Sequence, residues 1–386
     1  MITLLRNADV YAPERVGHAD ILLAGGRIAA IGPDLQPPPK DWNVEVVDVE
    51  GATVVPGIVD VHAHLSGGGG EGGAHTRVPP VGLSTFTRAG VTTAVGLLGT
   101  DATTRALPEL LAAARGLAHH GLTTYCYTGS YEVPPPTVTG SVRGDIVNID
   151  RVVAVGELAI SDHRSSQPTF EELARIAADA HVAGMMTGKA GLVHLHLGDG
   201  ERGLELVRRV LTETELPHRV LHPTHLNRNF DLWAEAVTLA ADLEIFADVT
   251  AFPEDDAGPS AAEAVSQWLA AGRDPSRITA SSDGGGCLPQ FDPDGVLTGM
   301  DVGSPDGLLE MVQSLIDRRV PMETAIAVVT ANPAALFRFH GKGRLEVGAD
   351  ADVLVLDGRC RTRHLIAGGR WMVRDGEPVV RGAFER

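Results

Sequence analysis

The hydrophobic pattern in the middle of the chain alternates between short apolar runs and longer stretches of helical spacing. The apolar runs have the length and continuity of strands buried in a parallel sheet. The predicted strands are Gly57–His62, Val91–Leu98, Thr123–Thr128, Val152–Ala159, Leu192–Leu197, Val220–Thr224, Glu244–Thr250 and Ile278–Ser281. The predicted helices between them are Pro108–His119, Phe170–Ala183, Leu204–Thr214, Leu232–Ala241 and Ala261–Ala271. This alternation predicts an α/β fold in which eight parallel strands close into a (β/α)8 TIM-like barrel.

Both ends of the chain have a different pattern, in which short strands are separated by glycine and proline turns. The predicted terminal strands are Ile2–Leu5, Asp20–Leu23, Arg27–Ile31, Val44–Val49, Ala351–Leu356, Thr362–Ala367 and Trp371–Val373. Neither end has enough apolar residues for a core of its own. We therefore expect residues 1–55 and 344–386 to form one small β-sandwich domain, with residues 56–343 as the inserted barrel domain. Two independent terminal flaps are the alternative.

The segment that leaves the barrel is predicted to contain two helices. Met322–Thr330 has helical spacing, and Asn332 and Pro333 interrupt it. Pro333–Phe339 then fits a second short helix that begins at its proline, since proline is favoured at the first helical position.

Composition and charge argue against several classes of protein. The chain has 386 residues, of which 44% are hydrophobic, enough for a sizeable core. With 32 basic and 50 acidic residues its formal net charge is −18, which argues against a nucleic-acid partner. Three widely spaced cysteines argue against a disulfide framework. The sequence shows neither a signal peptide nor an apolar run of membrane-spanning length, so we expect a cytoplasmic protein without a membrane partner.

Histidines and one aspartate stand at the ends of predicted strands. His62 and His64 are two residues apart, so their side chains share one face of a strand and converge on one metal ion. His196, His225 and Asp283 end three further strands. Because the active site of a TIM barrel lies at the carboxyl ends of its strands, these five side chains are expected to meet. Their nitrogen and oxygen atoms suit divalent ions, most simply Zn²⁺.

Two more histidines lie on the strands that end in His196 and His225, and the sequence does not decide their roles. His194 shares its strand face with His196, and it fits either a residue that supports the ligands or a core residue. His222 lies before Pro223, whereas His225 lies where the chain leaves the strand. His225 is therefore the preferred ligand of that pair.

The order of the five strand-end residues along the chain resembles the pattern of metal ligands in the amidohydrolase superfamily. The segment Val54–Asp60 that enters the barrel and the segment Val347–Val353 beyond its exit are similar to that superfamily as well. Within it, the chain resembles the isoaspartyl dipeptidase family over nearly its whole length. The segments that carry this resemblance are Gly67–Glu71, Val95–Asp101, Thr128–Tyr131, Ile160–Ser165 and Pro223–Asn229.

The resemblance implies hydrolysis of β-aspartyl dipeptides by a hydroxide that bridges two divalent ions. His62 and His64 would hold the first ion together with Asp283, and His196 and His225 would hold the second. Asp283 would take a proton from the hydroxide and pass it to the leaving amine. The family resemblance also implies a homo-oligomer, with an octamer as one candidate.

The same resemblance implies roles for residues around the substrate. Tyr131 would polarise the scissile carbonyl, and Glu71 would bind the free α-amino group. Arg164 and Arg228 would bind carboxylates, and Thr100 would line the pocket. For Tyr131 the alternative is an aromatic that packs a loop, and for the two arginines it is surface ion pairs.

The sequence departs from the family at two positions. The family joins its metals through a carbamylated lysine at the end of the fourth strand, and Val152–Ser161 contains no lysine. Glu157 occupies that region, and we predict that its carboxylate replaces the carbamate. The alternative is a Glu157 that lies on the surface or that supports the metal ligands without binding metal itself. Cys287 stands where the family has a serine that helps hold a substrate carboxylate. It either contacts substrate as a weaker donor or packs beneath the loop.

Two other functions compete with dipeptide hydrolysis. A cyclic-amide hydrolase of the dihydroorotase or hydantoinase type, or a deaminase, uses the same scaffold. Glu71 argues against it, because a neutral ring offers no ammonium group to bind. A scaffold without catalytic activity is the other rival, and it would be expected to have lost metal ligands that this chain retains.

Overall fold

The computed structural model describes residues 2–253, 257–292 and 296–385. The strands are β1 (Ile2–Tyr11), β2 (Arg15–Ala24), β3 (Arg27–Gly32), β4 (Val44–Asp48), β5 (Thr53–Pro56), β6 (Ile58–Ala63), β7 (Val91–Gly96), β8 (Thr123–Thr128), β9 (Val152–Ile160), β10 (Val193–Leu197), β11 (Leu221–Thr224), β12 (Ala247–Thr250), β13 (Ile278–Ser281), β14 (Cys287–Phe291), β15 (Leu297–Val302), β16 (Val353–Leu356), β17 (Thr362–Ala367), β18 (Arg370–Arg374) and β19 (Glu377–Pro378). The α-helices are α1 (Leu83–Arg88), α2 (Leu107–His119), α3 (Val142–Asn148), α4 (Phe170–Thr187), α5 (Glu205–Glu213), α6 (Phe230–Asp242), α7 (Ala261–Ala270), α8 (Gly307–Asp317), α9 (Met322–Ala327) and α10 (Ala331–Leu336).

Strands from both ends of the chain pair in one sheet. Its order is β19-β18-β17-β16-β5-β1-β2-β3, and β4 also pairs with β1. The two ends meet where β5 lies between β1 and β16, with Val54 opposite Val355. Leu5 and Ile21 share one buried apolar cluster with Val353 and Trp371. The two ends therefore bury their apolar residues together, as the sequence predicts, although a two-layer sandwich stays a prediction.

All eight strands predicted for the middle of the chain are present. Six of them, β6 to β11, form one parallel sheet in chain order, and β12 pairs in parallel with β13. A bridge between Ala63 and Gly284 connects the end of the last strand to the first, and His64 N donates to Gly284 O at 2.8 Å. Leu226 N donates to Asp248 O beside the gap between β11 and β12. The carboxyl ends of the strands therefore face one region.

The predicted helices are also present, with one correction. Helix α10 begins at Ala331, so Pro333 is its third residue and not its first. A proline is tolerated there because N–H groups in the first turn have no partner within the helix. The side chain of Asn332 donates to Pro275 O and Ile278 O, which holds this turn against β13.

The structure adds elements that the sequence pattern did not predict. Helices α1, α3 and α8 are among them, and so is the antiparallel hairpin β14–β15, which follows the last barrel strand. None of the helices in the described ranges combines the length and the apolarity needed to cross a membrane.

Candidate active site

The ends of β6, β9 and β13 bring two histidines and two carboxylates together. Glu157 Oε1 lies 3.7 Å from His62 Nε2 and 3.6 Å from His64 Nε2. Asp283 Oδ1 lies 3.4 Å from His62 Nε2 and 3.1 Å from His64 Nε2. All four residues are buried. Two imidazoles and two carboxylate oxygens therefore face one small volume, as a divalent cation requires.

The second oxygen of Glu157 faces the other histidine pair. Glu157 Oε2 lies 3.3 Å from His196 Nδ1 and 3.5 Å from His225 Nε2. The carboxylate is thus placed between the two histidine pairs with one oxygen toward each. Glu157 is 1% exposed, so a surface position for it is wrong.

An irregularity in β9 aims the Glu157 side chain. Val155 pairs with Val193 and Leu158 pairs with Leu195, so three steps along β9 match two along β10. Such a bulge redirects a side chain out of the regular alternation. Gly156 has a φ of 153°, and a Cβ there would lie 2.7 Å from His194 O. Only glycine fits at this close approach, so the bulge depends on it.

Two of the predicted ligands have left-handed backbone conformations. His225 has a φ of 59° and Asp283 a φ of 51°, values that are uncommon for non-glycine residues, although Asp and His adopt them more often than most. His225 Nδ1 lies 2.7 Å from Thr250 Oγ1, which orients the ring. A side chain at Gly286 would collide with Asp283 Oδ1. Gly286 therefore leaves room for the carboxylate.

The donor set fits bound divalent metal. His62 Nε2, Glu157 Oε2 and Asp283 Oδ1 are buried without a hydrogen-bond partner, an arrangement that is costly unless a ligand satisfies it. Two overlapping groups of three residues could each hold a metal ion. The first group is His62, His64 and Asp283. The second group is His62, Glu157 and His225.

The electrostatics of the centre favour bound positive charge. Burial opposes a charge on His62, but the carboxylates of Glu157 and Asp283 raise its pKa to about 9. Burial acts against ionised Glu157 and Asp283 as well, yet the surrounding histidines hold the pKa of both carboxyl groups well below the usual range. For His225, burial prevails and lowers its pKa to about 3. The neutral ring is the form that binds a metal.

The lysines described with their side chains lie elsewhere. Lys189 Nζ donates to the backbone carbonyls of Ile146, Ile149 and Val152. Lys342 Nζ lies 2.6 Å from Asp352 Oδ2 and 2.9 Å from Asp350 Oδ2. The group between the histidine pairs is the carboxylate of Glu157.

A cavity of about 920 Å³ opens above this centre. Its lining includes every residue predicted to contact substrate, namely Glu71, Thr100, Tyr131, Arg164, Arg228 and Cys287. Burial and the nearby Glu71 raise the pKa of the Cys287 thiol to about 12, so it is neutral near pH 7.

Glu71 presents one satisfied and one unsatisfied oxygen. Glu71 Oε1 accepts a hydrogen bond of 2.9 Å from Thr100 Oγ1 and lies 3.7 Å from Arg164 Nη1. Glu71 Oε2 is buried without a partner. On the other side, Arg228 Nη1 lies 3.8 Å from Asp199 Oδ2, and the guanidinium lies 5.9 Å from the centre of the Phe252 ring.

The Tyr131 side chain is buried in the loop after β8, and its hydroxyl lies beside the centre. Its oxygen is 2.7 Å from His196 Nδ1. The Arg164 guanidinium lies 5.5 Å from the centre of the tyrosine ring. Burial raises the pKa of Tyr131 well above its usual value, so the phenol keeps its proton and can donate it in a hydrogen bond.

Asp162 is a site residue that the sequence analysis missed. Its carboxylate accepts two hydrogen bonds from the Arg164 guanidinium, at 3.0 and 2.7 Å, and one from the Arg164 backbone N–H, and it lies 2.8 Å from His196 Nε2. It therefore orients a predicted substrate arginine and a predicted metal ligand together. Burial alone would raise the pKa of Asp162, but His196 and Arg164 hold it well below the usual range. A carboxylate at a strand end, two residues before an arginine, was the available signal.

Comparisons with known proteins identify the family. The model of the Amidohydrolase family matches residues 53–372. A β-aspartyl dipeptidase from Fervidobacterium islandicum AW-1, solved in complex with β-Asp-Leu, is 40% identical, with a TM-score of 0.92 and 98% of each chain covered. A second structure of β-aspartyl dipeptidase from that organism is 38% identical, with a TM-score of 0.88 and the same coverage.

Among curated sequences the similarity is local. A dihydroorotase from Ligilactobacillus salivarius is 42% identical over 64 residues, which are 17% of this chain and 15% of that protein. The match thus spans a small part of the relative.

Proposed function

The chain belongs to the amidohydrolase family, and on that basis we propose that it is a binuclear metal-dependent isoaspartyl dipeptidase. The observation that carries the proposal is the unpartnered Glu71 Oε2 in a cavity that two arginines also line. A β-aspartyl dipeptide has a free ammonium group and two carboxylates. This cavity offers a charge of the opposite sign for each. The similarity to the two dipeptidase structures over 98% of the chain supports the same substrate class.

The metal ligands are assigned from the distances at the strand ends. His62, His64 and Asp283 would hold the first ion, and His196 and His225 the second. Glu157 would supply one oxygen to each. Zn²⁺ is the proposed metal, because the set combines imidazole nitrogens with carboxylate oxygens. Two bound divalent ions lower the pKa of water to near neutrality, which makes hydroxide available for attack on an amide.

The proposed catalytic roles are those that the family resemblance implies. Asp283 would accept the proton of the attacking water and donate it to the leaving amine, acting as base and then as acid. Tyr131 would donate a hydrogen bond to the oxyanion that develops on the scissile carbonyl. Its hydroxyl, 2.7 Å from His196 Nδ1, lies at the edge of the centre that the carbonyl must approach.

The substrate would be held at its charged ends. Glu71 would bind the α-ammonium group, with Thr100 fixing the rotamer of the carboxylate through its hydrogen bond. Arg164 and Arg228 would bind the two carboxylates, since a guanidinium matches the planar geometry of a carboxylate. Cys287 would contact substrate from the hairpin β14–β15 as a weak donor.

Several properties are proposed with the function. The division into residues 1–55 with 344–386 and residues 56–343 describes two domains. The enzyme would act in the cytoplasm as a homo-oligomer, with no nucleic-acid or membrane partner.

Cyclic-amide hydrolysis, or deamination, on the same scaffold is the rival activity. The local similarity to a dihydroorotase is the observation in its favour. A cyclic amide without an ammonium group would leave Glu71 Oε2 buried without a partner, which costs free energy. The dipeptide is therefore preferred.

Substrate competition tests the proposal. Protein reconstituted with Zn²⁺ in buffer without bicarbonate is assayed on β-Asp-Leu, α-Asp-Leu and dihydroorotate. Selective cleavage of β-Asp-Leu is expected, and it would indicate that no carbamate is required. Turnover of dihydroorotate without cleavage of β-Asp-Leu would overturn the substrate assignment and leave the metal centre intact.

A further inference from the structure

A chain of buried side chains runs beneath the metal centre and crosses the barrel. His62 Nδ1 lies 2.8 Å from His194 Nε2, and His194 Nδ1 lies 3.0 Å from His222 Nδ1. His222 Nε2 lies 2.9 Å from Thr279 Oγ1, whose hydroxyl donates to Asp248 Oδ1. These five residues come from β6, β10, β11, β13 and β12, and all are 0% exposed.

Asp248 fixes the far end of the chain. Its Oδ2 accepts hydrogen bonds from Thr224 Oγ1 at 2.7 Å and from Ser281 Oγ at 2.5 Å. Together with Thr279, three hydroxyl groups point at one carboxylate, which in its ionised form only accepts hydrogen bonds. The Thr279 proton is therefore directed at Asp248, so the Thr279 oxygen is left to accept a hydrogen bond from His222.

The direction of every other link follows. A neutral imidazole has one donor and one acceptor nitrogen. If His222 donates from Nε2, its Nδ1 accepts, and His194 must donate from Nδ1. His194 then accepts at Nε2, and His62 must donate from Nδ1. The lone pair of His62 is thereby placed on Nε2, the atom that faces Glu157 and Asp283.

We infer that His194, His222, Thr279 and Asp248 form a positioning relay that sets the tautomer and the ring orientation of His62 for metal binding. The inference rests on the metal centre of the proposed function and adds residues to which that function assigns no role. Groups that hydrogen-bond to a metal-ligating histidine affect metal affinity by about 10–100-fold. Here that support passes through two further histidines before it reaches a carboxylate. The ring of Tyr127 stacks on the ring of His194, with ring centres 5.1 Å apart, and this contact holds the orientation of the His194 ring.

The chain offers a matched pair of variants. Thr279→Val removes the hydroxyl that links His222 to Asp248 while preserving the shape of the side chain. Thr224→Val removes another buried hydroxyl from the same carboxylate, but Thr224 lies outside the relay. Thr279→Val loses two buried hydrogen bonds and Thr224→Val loses one, so the melting temperature should fall in both and further in Thr279→Val. Only Thr279→Val should weaken Zn²⁺ binding, by about 10-fold in a chelator competition, whereas Thr224→Val should stay within about 2-fold of the wild type.

A spectroscopic measurement on the wild-type protein decides the inference even if a variant fails to fold. Histidine ¹⁵N shifts should show His194 protonated on Nδ1 and His222 protonated on Nε2, with a proton on His62 Nδ1. The opposite tautomers would overturn the relay, and so would equal loss of zinc affinity in the two variants. If the wild type binds no zinc but shows these tautomers, the metal centre is wrong and the hydrogen-bond chain stands. The two failures are therefore distinguishable.

Discussion

Glu157 and His196 approach each other at the heart of the site, with Glu157 Oε2 3.3 Å from His196 Nδ1. The other oxygen of the same carboxylate lies 3.6 Å from His64 Nε2. One buried glutamate thus faces both histidine pairs. This placement supports the proposal that Glu157 takes the role that a carbamylated lysine fills in the family that the sequence resembles.

Replacement of Glu157 by glutamine is expected to abolish the binuclear centre. An amide keeps the size of the side chain but removes the charge and one acceptor oxygen. Zinc content should fall below two ions per chain, and kcat/KM for β-Asp-Leu should fall by at least about 100-fold. Metal analysis and steady-state kinetics measure both. The matched control is Glu132→Gln, an exposed carboxylate nearby in the chain. Two bound ions and a wild-type rate in Glu157→Gln would refute the bridge.

Glu71→Gln is expected to raise KM for β-Asp-Leu by about 10–100-fold, because a hydrogen bond to a charged group contributes about 1.5–3 kcal/mol. The zinc content should not change, since Glu71 does not belong to either group of possible ligands. Thr100→Val removes only the hydrogen bond to Glu71 Oε1, so a smaller increase, about 3–10-fold, is expected. Dipeptide kinetics in Glu71→Gln that match the wild type would show that the ammonium group binds elsewhere.

Cys287→Ser should strengthen substrate binding. A hydroxyl is a better donor than the neutral thiol, and a gain of about 1 kcal/mol corresponds to a KM about 5-fold lower. The control is Cys360→Ser, because Cys360 is buried away from the cavity and should leave KM unchanged. Equal KM values for Cys287→Ser and the wild type would place Cys287 beneath the loop, out of contact with substrate.

Lys342 is predicted to connect the terminal sheet to the barrel. Its buried ammonium group contacts Asp352 and Asp350, and it donates to Thr123 Oγ1 at 2.8 Å. Burial alone would lower the pKa of Lys342, but the two aspartates raise it. Because the pKa of Lys342 is raised on folding, its stabilising contribution is complete below the unfolded value of about 10.4. It is lost as pH rises through the folded pKa.

Lys342→Met should lower the free energy of unfolding by about 3–5 kcal/mol near pH 7, since it leaves the buried carboxylate of Asp352 without its charged partner, while Asp350 keeps Arg27. The difference from the wild type should shrink above about pH 10.5. Melting curves between pH 7 and pH 11.5 measure this. The exposed pair of Arg344 and Glu14 provides the control, and Arg344→Met should cost no more than about 1 kcal/mol. A pH-independent difference for Lys342→Met would contradict the assignment.

Much of the site could be predicted from the sequence because the strand pattern is regular. His62, His64, His196, His225 and Asp283 stand at strand ends, and parallel strands bring those ends together. The absence of lysine from the fourth strand directed attention to Glu157. The sequence could not predict which histidine pair each oxygen of Glu157 faces, because that depends on the bulge between β9 and β10.

Other features depend on contacts between distant segments. Asp162 has two partners, Arg164 and His196, and the spacing along the chain reveals only the first. The hairpin β14–β15 lacks the apolar run that identifies the barrel strands, so Cys287 was placed in the site by resemblance alone. The roles of His194 and His222 depend on ring nitrogens from three strands meeting in one line.

The most direct test of the central claim is a crystal structure of the zinc-loaded protein with anomalous diffraction measured at the zinc edge. We expect two zinc peaks per chain, one bound by His62, His64 and Asp283 and the other by His196 and His225. One oxygen of Glu157 should lie at each ion. A single peak, or two peaks with the Glu157 side chain turned away from one of them, would contradict the claim that this glutamate joins a binuclear centre.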